Sequence, residues 1–170
     1  MARLIKNGAV MDDGWTTLAL AEGETPEAVA LPAGPVLFPL PVWNARKDEI
    51  LARGEPVGLF LQDDDRVEEV AADLAHFAVI AVNFPKFVNG RGYSTAALLR
   101  QRYAYPGEVR AVGEVLHDQL YFMARVGFDA FALRDDKSAE HALAAGFTTF
   151  SERYQGSTDQ PLPAFRRRAA

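Results

Sequence analysis

From Pro35 onward, short apolar runs alternate with segments of helical period, and this alternation limits the chain to very few folds. The runs "VGLFL", "AVIAV" and "FDAFAL" are apolar at successive positions. A strand with that pattern is covered on both faces, as in a parallel sheet. Between the runs lie "NARKDEILARG", "DDRVEEVAADLAHF", "STAALLRQRY", "EVLHDQLYFMARV" and "KSAEHALAAG", each long enough for a crossover helix. The reading is an α/β fold: an open, mainly parallel sheet of about five strands with crossover helices, wound on both sides. A partial TIM-like barrel completed by dimerisation is the alternative, because five or six units fall short of a closed barrel of ~250 residues. Pro39 and Pro41 mark "PVLFPLPVW" as an edge strand.

Ahead of this body, "RLIKNGAVMDDGWTTLAL" predicts an N-terminal β-hairpin turning at Asp13-Gly14. The division is a single domain over 1–154: a hairpin over 1–20, a connection over 21–34 and a main body over 35–154. Residues 155–170, ending "AFRRRAA", read as a loosely ordered tail.

Composition removes several functions. The chain has 170 residues, 49% hydrophobic and 24% charged, with no cysteine and a formal net charge of −5. Without cysteine there are no disulfides, thiolate nucleophiles or thiolate metal sites. An acidic balance argues against nucleic acid as a partner. No apolar stretch reaches the ~20 residues of a membrane span, and the start lacks a signal-peptide core, so the expectation is a cytoplasmic protein without membrane contact. His76, His117 and His141 fall on separate predicted helices, without the paired spacing of metal ligands. Asp63-Asp64-Asp65 could hold Mg²⁺, but acids opening a helix more often cap it. No metal or cofactor is expected.

The informative stretch is "NFPKFVNGRGYSTAALLRQRY", Asn83 to Tyr103. It follows a predicted strand, where ligands of open parallel sheets bind. Between Lys86 and Arg110 stand five bases, Lys86, Arg91, Arg100, Arg102 and Arg110, against one acid, Glu108. Gly90 and Gly92 would let amide groups converge into a nest, beside a helix opening at Ser94. Each charge-assisted hydrogen bond contributes about 1.5–3 kcal/mol, and a millimolar to micromolar site needs about 4–8 kcal/mol. Two or three contacts suffice for a small oxyanion. The anion candidates are Lys86, Asn89, Gly90, Arg91, Gly92, Tyr93, Ser94 and Arg100. The competing reading is a plain turn with Ser94 as helix cap.

Around that loop, the helical wheel puts Arg102 inward and Arg100 outward, so Arg102 should meet Glu114 or Asp118. Arg110 should pair with Asp129. Glu114, Asp118 and Gln119 sit where the next strand enters its helix. Arg102, Arg110, Glu114 and Gln119 are supporting residues, and Asp118 is the catalytic candidate if the chain is an enzyme. His117 points away from Asp118 on a helix and is set aside.

The stretch "FPKFVNGRGYSTAALLRQRY…GEVRAVGEVLHDQLYFMARVGFDAF" resembles a bacterial family of uncharacterised domains encoded beside assimilatory sulfite reductase and described as oxidoreductases of sulfite reduction. The likeness runs through Phe84, Pro85, Phe87, Gly90–Ser94, Arg100, Arg102, Arg110, Glu114, Asp118 and Gln119, and weakens over 21–35 and in the tail. It implies a role in sulfate or sulfite assimilation and cysteine biosynthesis, acting on small oxyanions or sulfonucleotides. The absence of cysteine sits awkwardly with redox chemistry. The expectation is an accessory protein that binds a small oxyanion or assists sulfite reductase. The alternative is a small cysteine-free enzyme with Asp118 as acid or base and Arg91 as electrophile. A homo-oligomer is compatible with either.

Overall fold

The computed structural model describes residues 3–150 and 152–167. The chain opens with β1 (Arg3–Lys6) and β2 (Ala9–Asp12), an antiparallel hairpin. Its turn is at Asn7-Gly8, with φ of 52° and 73°, and not at Asp13-Gly14 as expected. Asn-Gly is the pair that tolerates two successive positive φ angles in a two-residue turn.

β3 (Thr16–Thr17) and β4 (Val36–Pro39) follow, and then α1 (Leu40–Ala52). Pro39 and Pro41 stand at the start of α1, where proline removes no helical hydrogen bond, so they did not mark an edge strand. β5 (Val57–Leu61) leads into a 3₁₀ stretch, Val67–His76, and β6 (Val79–Phe84) into α2 (Arg91–Ala97). β7 (Glu108–Gly113), α3 (His117–Val126), β8 (Ala130–Phe131), α4 (Ala139–Ala145) and α5 (Ala164–Arg167) complete the order. Among the described residues no helix is long and apolar enough to cross a membrane.

The eight strands form one sheet in the order β2-β1-β8-β7-β6-β5-β4-β3. All pairs from β3 to β8 are parallel, and the hairpin adds two antiparallel strands. The α/β class is as expected; the count is eight strands and not five. The winding also differs. β4 to β8 are neighbours in chain order, and right-handed crossovers taken in one direction all fall on one face. One core confirms this: Phe38, Leu59, Ile80 and Val109 of the strands pack with Trp43 of α1 and Leu120 of α3.

The other face faces inward. β2 ends at Asp12 and β3 begins at Thr16, yet these are the two edges of the sheet. Four Cα–Cα steps reach at most about 14 Å. The sheet must therefore curl until its edges nearly meet, with Asp13, Gly14 and Trp15 crossing the gap. On the concave side Leu37, Val79 and Ala81 form a second buried cluster, flanked by Trp15, Phe60 and Val112. Gly58 makes room for it, since a Cβ there would lie 2.5 Å from Leu37 Cδ2 and 3.0 Å from Trp15.

Strand alternation turns Glu108 and Arg110 to this concave side. Arg110 Nη1 donates to both Asp13 oxygens at 2.8 Å, and its Nε to Glu108 at 2.6 Å. Lys6 Nζ donates to the second Glu108 oxygen at 2.6 Å. The expected Arg110–Asp129 pair is not formed. Asp129 lies just before β8 and accepts instead from the Val109 amide and from Arg100.

Residues 155–167 lie against the body. Arg125 donates to the Gln155 carbonyl at 2.6 Å, and Ser157 Oγ to the Arg125 carbonyl at 2.7 Å.

The Arg110 side chain is only 3% exposed. Asp13→Ala leaves it with Glu108 alone, and should lower the unfolding free energy by about 3–5 kcal/mol in a urea titration. The double variant Asp13→Ala, Arg110→Met should recover part of that loss, because the uncompensated charge is gone.

Candidate functional site at the carboxyl edge of the sheet

β6 delivers the chain to a loop over 85–90, and α2 then starts at Arg91, three residues before Ser94. Gly90 caps it with φ −95° and ψ 0°, and Gly92 lies within the helix; neither has positive φ. The expected amide nest is therefore not built. Asn89 Oδ1 accepts from the Arg91 amide at 3.1 Å, and the Gly90 carbonyl from the Tyr93 amide at 3.2 Å. Gly92 answers a packing demand: a Cβ there would sit 2.6 Å from Cζ of buried Phe84.

β5 and β6 are neighbours, so their carboxyl-end loops adjoin. Asn89 donates through Nδ2 to Asp63, and Asn83 to Gln62 at 2.8 Å. Arg91 and Ser94 share a cleft of about 360 Å³ with Asp63, Asp64, Asp65 and Glu68. Arg66 also lines it, so four carboxylates face two guanidinium groups. Burial pushes the Asp65 carboxyl up, against the pull of the Gln62 amide. Among the described residues, Lys86 and Arg91 have no side-chain hydrogen bond or ion pair.

On the other side of the loop stands α3. Gln119 accepts from the Leu116 amide at 3.0 Å and reaches the Phe87 carbonyl at 3.5 Å, tying the loop to the helix. Tyr93 packs between Phe84, at 5.3 Å, and Phe122, at 5.2 Å. Burial pushes its hydroxyl pKa up; the Gln119 hydrogen bond opposes this and the Asp118 charge adds to it. Asp118 is exposed. Phe87 is 49%, Val88 85% and Phe122 50% exposed, an apolar rim that sequence patterning did not single out.

Glu114 turns away from this loop. It accepts from Arg134 at 3.0 Å, and Arg134 also holds Asp136 at 2.6 and 2.9 Å. The Arg134 guanidinium holds the Asp136 carboxyl well below the usual carboxylate range. This network borders a cleft of about 560 Å³ beyond β7 and β8. Among the described residues no group of three or more His, Cys, Asp or Glu is arranged to hold a metal.

Two arginines are exchanged relative to expectation. α2 continues into a π-helical turn, Leu98–Arg102, whose extra residue per turn rotates everything after it. Arg100 is thereby directed inward and Arg102 outward. Arg100 donates to the carbonyls of Gly127 (3.0 Å), Tyr105 (2.6 Å) and Gly107 (2.7 Å), and to Asp129 (2.8 Å). It lies at the amino ends of the strands, away from Arg91, and does not join the anion candidates. Arg102 is exposed and meets neither Glu114 nor Asp118; its guanidinium lies over the Tyr103 ring at 5.5 Å. The structure thus brings together Lys86, Asn89, Gly90, Arg91, Gly92, Tyr93, Ser94, Asp118 and Gln119, and separates Arg100, Arg102, Arg110 and Glu114 from them.

A family model for a bacterial protein of unknown function (DUF934) matches residues 58–165, nearly two thirds of the chain. The chain belongs to this family. The match begins in β5 and ends in α5, so the family region carries the carboxyl-edge loop, the π turn and the Arg100 hub. The hairpin, β3, β4 and α1 lie ahead of it. None of the curated proteins compared with the chain matches it.

Arg100→Ala strands three carbonyls and a carboxylate, and should cost about 3–5 kcal/mol of stability. Arg102→Ala should change it by no more than about 0.5 kcal/mol. Paired denaturant titrations measure both.

Proposed function

We propose that the protein is a cytoplasmic accessory protein of bacterial sulfate and sulfite assimilation that assists sulfite reductase by docking on it, without redox chemistry of its own. The supporting observation is the loop after β6, which holds Phe87 and Val88 toward solvent beside Phe122 while Gln119 and the Asn89–Asp63 bond fix its course. A loop ordered before binding loses little entropy on contact, and exposed aromatic groups on a fixed frame are what an interface core requires. The motif likeness around Phe84–Ser94 supports the pathway, and the absence of cysteine supports a non-redox role.

Oxyanion binding at Lys86 and Arg91 is the weaker arm. Two cations without partners among the described residues stand at the carboxyl edge of the sheet, but the carboxylates around Arg91 lower the local potential.

Purified assimilatory sulfite reductase should bind the protein, and Val88→Ser with Phe122→Ser should weaken binding about tenfold or more. No binding, or equal binding by the double variant, refutes the docking reading. Calorimetric titration with sulfite, sulfate, phosphate and adenosine phosphosulfate should show affinity no tighter than about 1 mM. Asp63→Asn with Asp64→Asn should strengthen it if Arg91 is the contact. Asp118→Asn should leave sulfite assimilation in cells unimpaired; a loss would favour the enzyme reading.

A further inference from the structure

The antiparallel course of β1 brings a cation to the rim beyond β7 and β8. Ile5 pairs with Phe131, so Arg3, two residues earlier, stands level with Leu133, past the end of β8. The turns that leave β7 and β8 lie side by side there, because the Arg134 amide donates to the Val115 carbonyl at 3.1 Å. At this rim opens the cleft of about 560 Å³ that the Arg134 network borders. Small-molecule sites have volumes of about 300–1,000 Å³, and in parallel sheets they lie at the carboxyl edge. Ala132, Leu133 and Ala139 give the cleft an apolar part of its lining.

The charged lining is balanced. Arg3, Arg134 and Lys137 face Glu114, Asp135 and Glu140. A simple anion would meet three carboxylates here, and a simple cation three bases. A ligand carrying both signs meets neither obstacle. The bonds already made show which groups are left for it. Arg134 is a brace, donating to Glu114 at 3.0 Å and to the two Asp136 oxygens at 2.6 and 2.9 Å. Arg3 is paired with Glu140, whose other oxygen accepts from Ser138 at 2.9 Å. Lys137 has three donors and one carboxylate, Asp136 at 3.1 Å, which lies outside the lining. Glu114 is engaged through Oε2 alone, and the exposed Asp135 carboxylate has no hydrogen bond or ion pair among the described residues.

Asp135 and Lys137 share one turn, closed by the Lys137 amide on the Arg134 carbonyl at 2.8 Å. An α-amino acid carries its carboxylate and its ammonium on neighbouring atoms and matches such a pair. A charged ligand side chain would find both signs nearby and gain nothing. Glu114 and Lys137 are close to half exposed, and ion pairs in that setting contribute little to stability, so a ligand can share these groups without loosening the fold. We propose that the cleft beyond β7 and β8 binds a free α-amino acid with an uncharged side chain, its carboxylate on Lys137 and its ammonium on Asp135 and Glu114. The site uses none of the residues of the docking loop after β6, and it stands whether or not that loop meets sulfite reductase.

Two-dimensional NMR of the backbone N–H groups of the full chain tests this, with L-alanine, L-serine and L-leucine added separately. At least one should bind with a Kd of about 5 mM or tighter, shifting the signals of Leu133, Asp135 and Lys137 and leaving those of Val88 and Arg91 in place. Two analogues of the tightest binder serve as controls: its carboxamide, which lacks the carboxylate, and its 2-hydroxy acid, which lacks the ammonium. Each should bind about tenfold more weakly or worse. Asp135→Asn and, separately, Lys137→Met should lower affinity for the amino acid about tenfold with unchanged thermal melting. Asp135→Asn should leave the 2-hydroxy acid as it was, and Lys137→Met the carboxamide, whereas a merely structural role would move all three ligands alike. Weaker binding by all three amino acids overturns the proposal, as does equal binding of either analogue, shifts confined to another surface, or affinity insensitive to both variants.

Discussion

The curl that the three-residue bridge imposes on the sheet is held by one buried set of charges. Arg110 projects from β7 into the concave side and holds Asp13, which belongs to the three-residue bridge between the sheet's two edges. Glu108 neutralises Arg110 from the same strand and is itself held by Lys6 of β1. The network thus joins the antiparallel hairpin, a central parallel strand and the bridge. Ions taken from water cost several kcal/mol each, and the attraction offsets that only with near-ideal geometry. Such geometry exists only when the edges meet, so the charges favour the curled arrangement over a flatter one. Trp15 then finds its place against Gly58, where any side chain would obstruct it.

Once the sheet is wound on one side, α1, α2, α3 and α4 share one core, and the carboxyl ends of the parallel strands β3 to β8 open on the same rim. The loops after β5, β6 and β7 are forced into one neighbourhood, which is why Asp63 meets Asn89 and Asn83 meets Gln62. Gly113 at the end of β7 shows how closely these ends pack. Its φ is +91°, and a Cβ would fall 2.5 Å from the Asn83 side-chain oxygen. The rim is crowded and polar on the β5 side, and apolar and exposed on the α3 side.

The π turn at Leu98–Arg102 decides the electrostatics of that rim. Five bases lie within one stretch of sequence, but one extra residue in a helical turn sends Arg100 to the amino ends of the strands, where it satisfies three carbonyls and Asp129. Arg110 is enclosed by the curled sheet. Of those five bases only Lys86 and Arg91 stand beside the loop at the carboxyl edge, and a count of charges along the chain overstates the positive potential there.

Local chemistry determined the elements. Apolar runs such as "AVIAV" had to be doubly covered strands and the intervening periods had to be helices, but the sequence pattern puts the hairpin turn at Asp13-Gly14, whereas Asn7-Gly8, an equally good turn pair, makes it. The loop of interest and its neighbours Asp118 and Gln119 were legible for the same reason: a strand's end and the next helix's start are adjacent in sequence. Three things were decided only by tertiary structure. Single-sided winding depends on strand order, which no local pattern encodes. The exchange of Arg100 and Arg102 depends on a π turn, stabilised by carbonyls from Tyr105, Gly107 and Gly127 that the helix cannot anticipate. The acidic lining beside Arg91 comes from a loop more than twenty residues upstream, brought there because β5 and β6 pair in parallel.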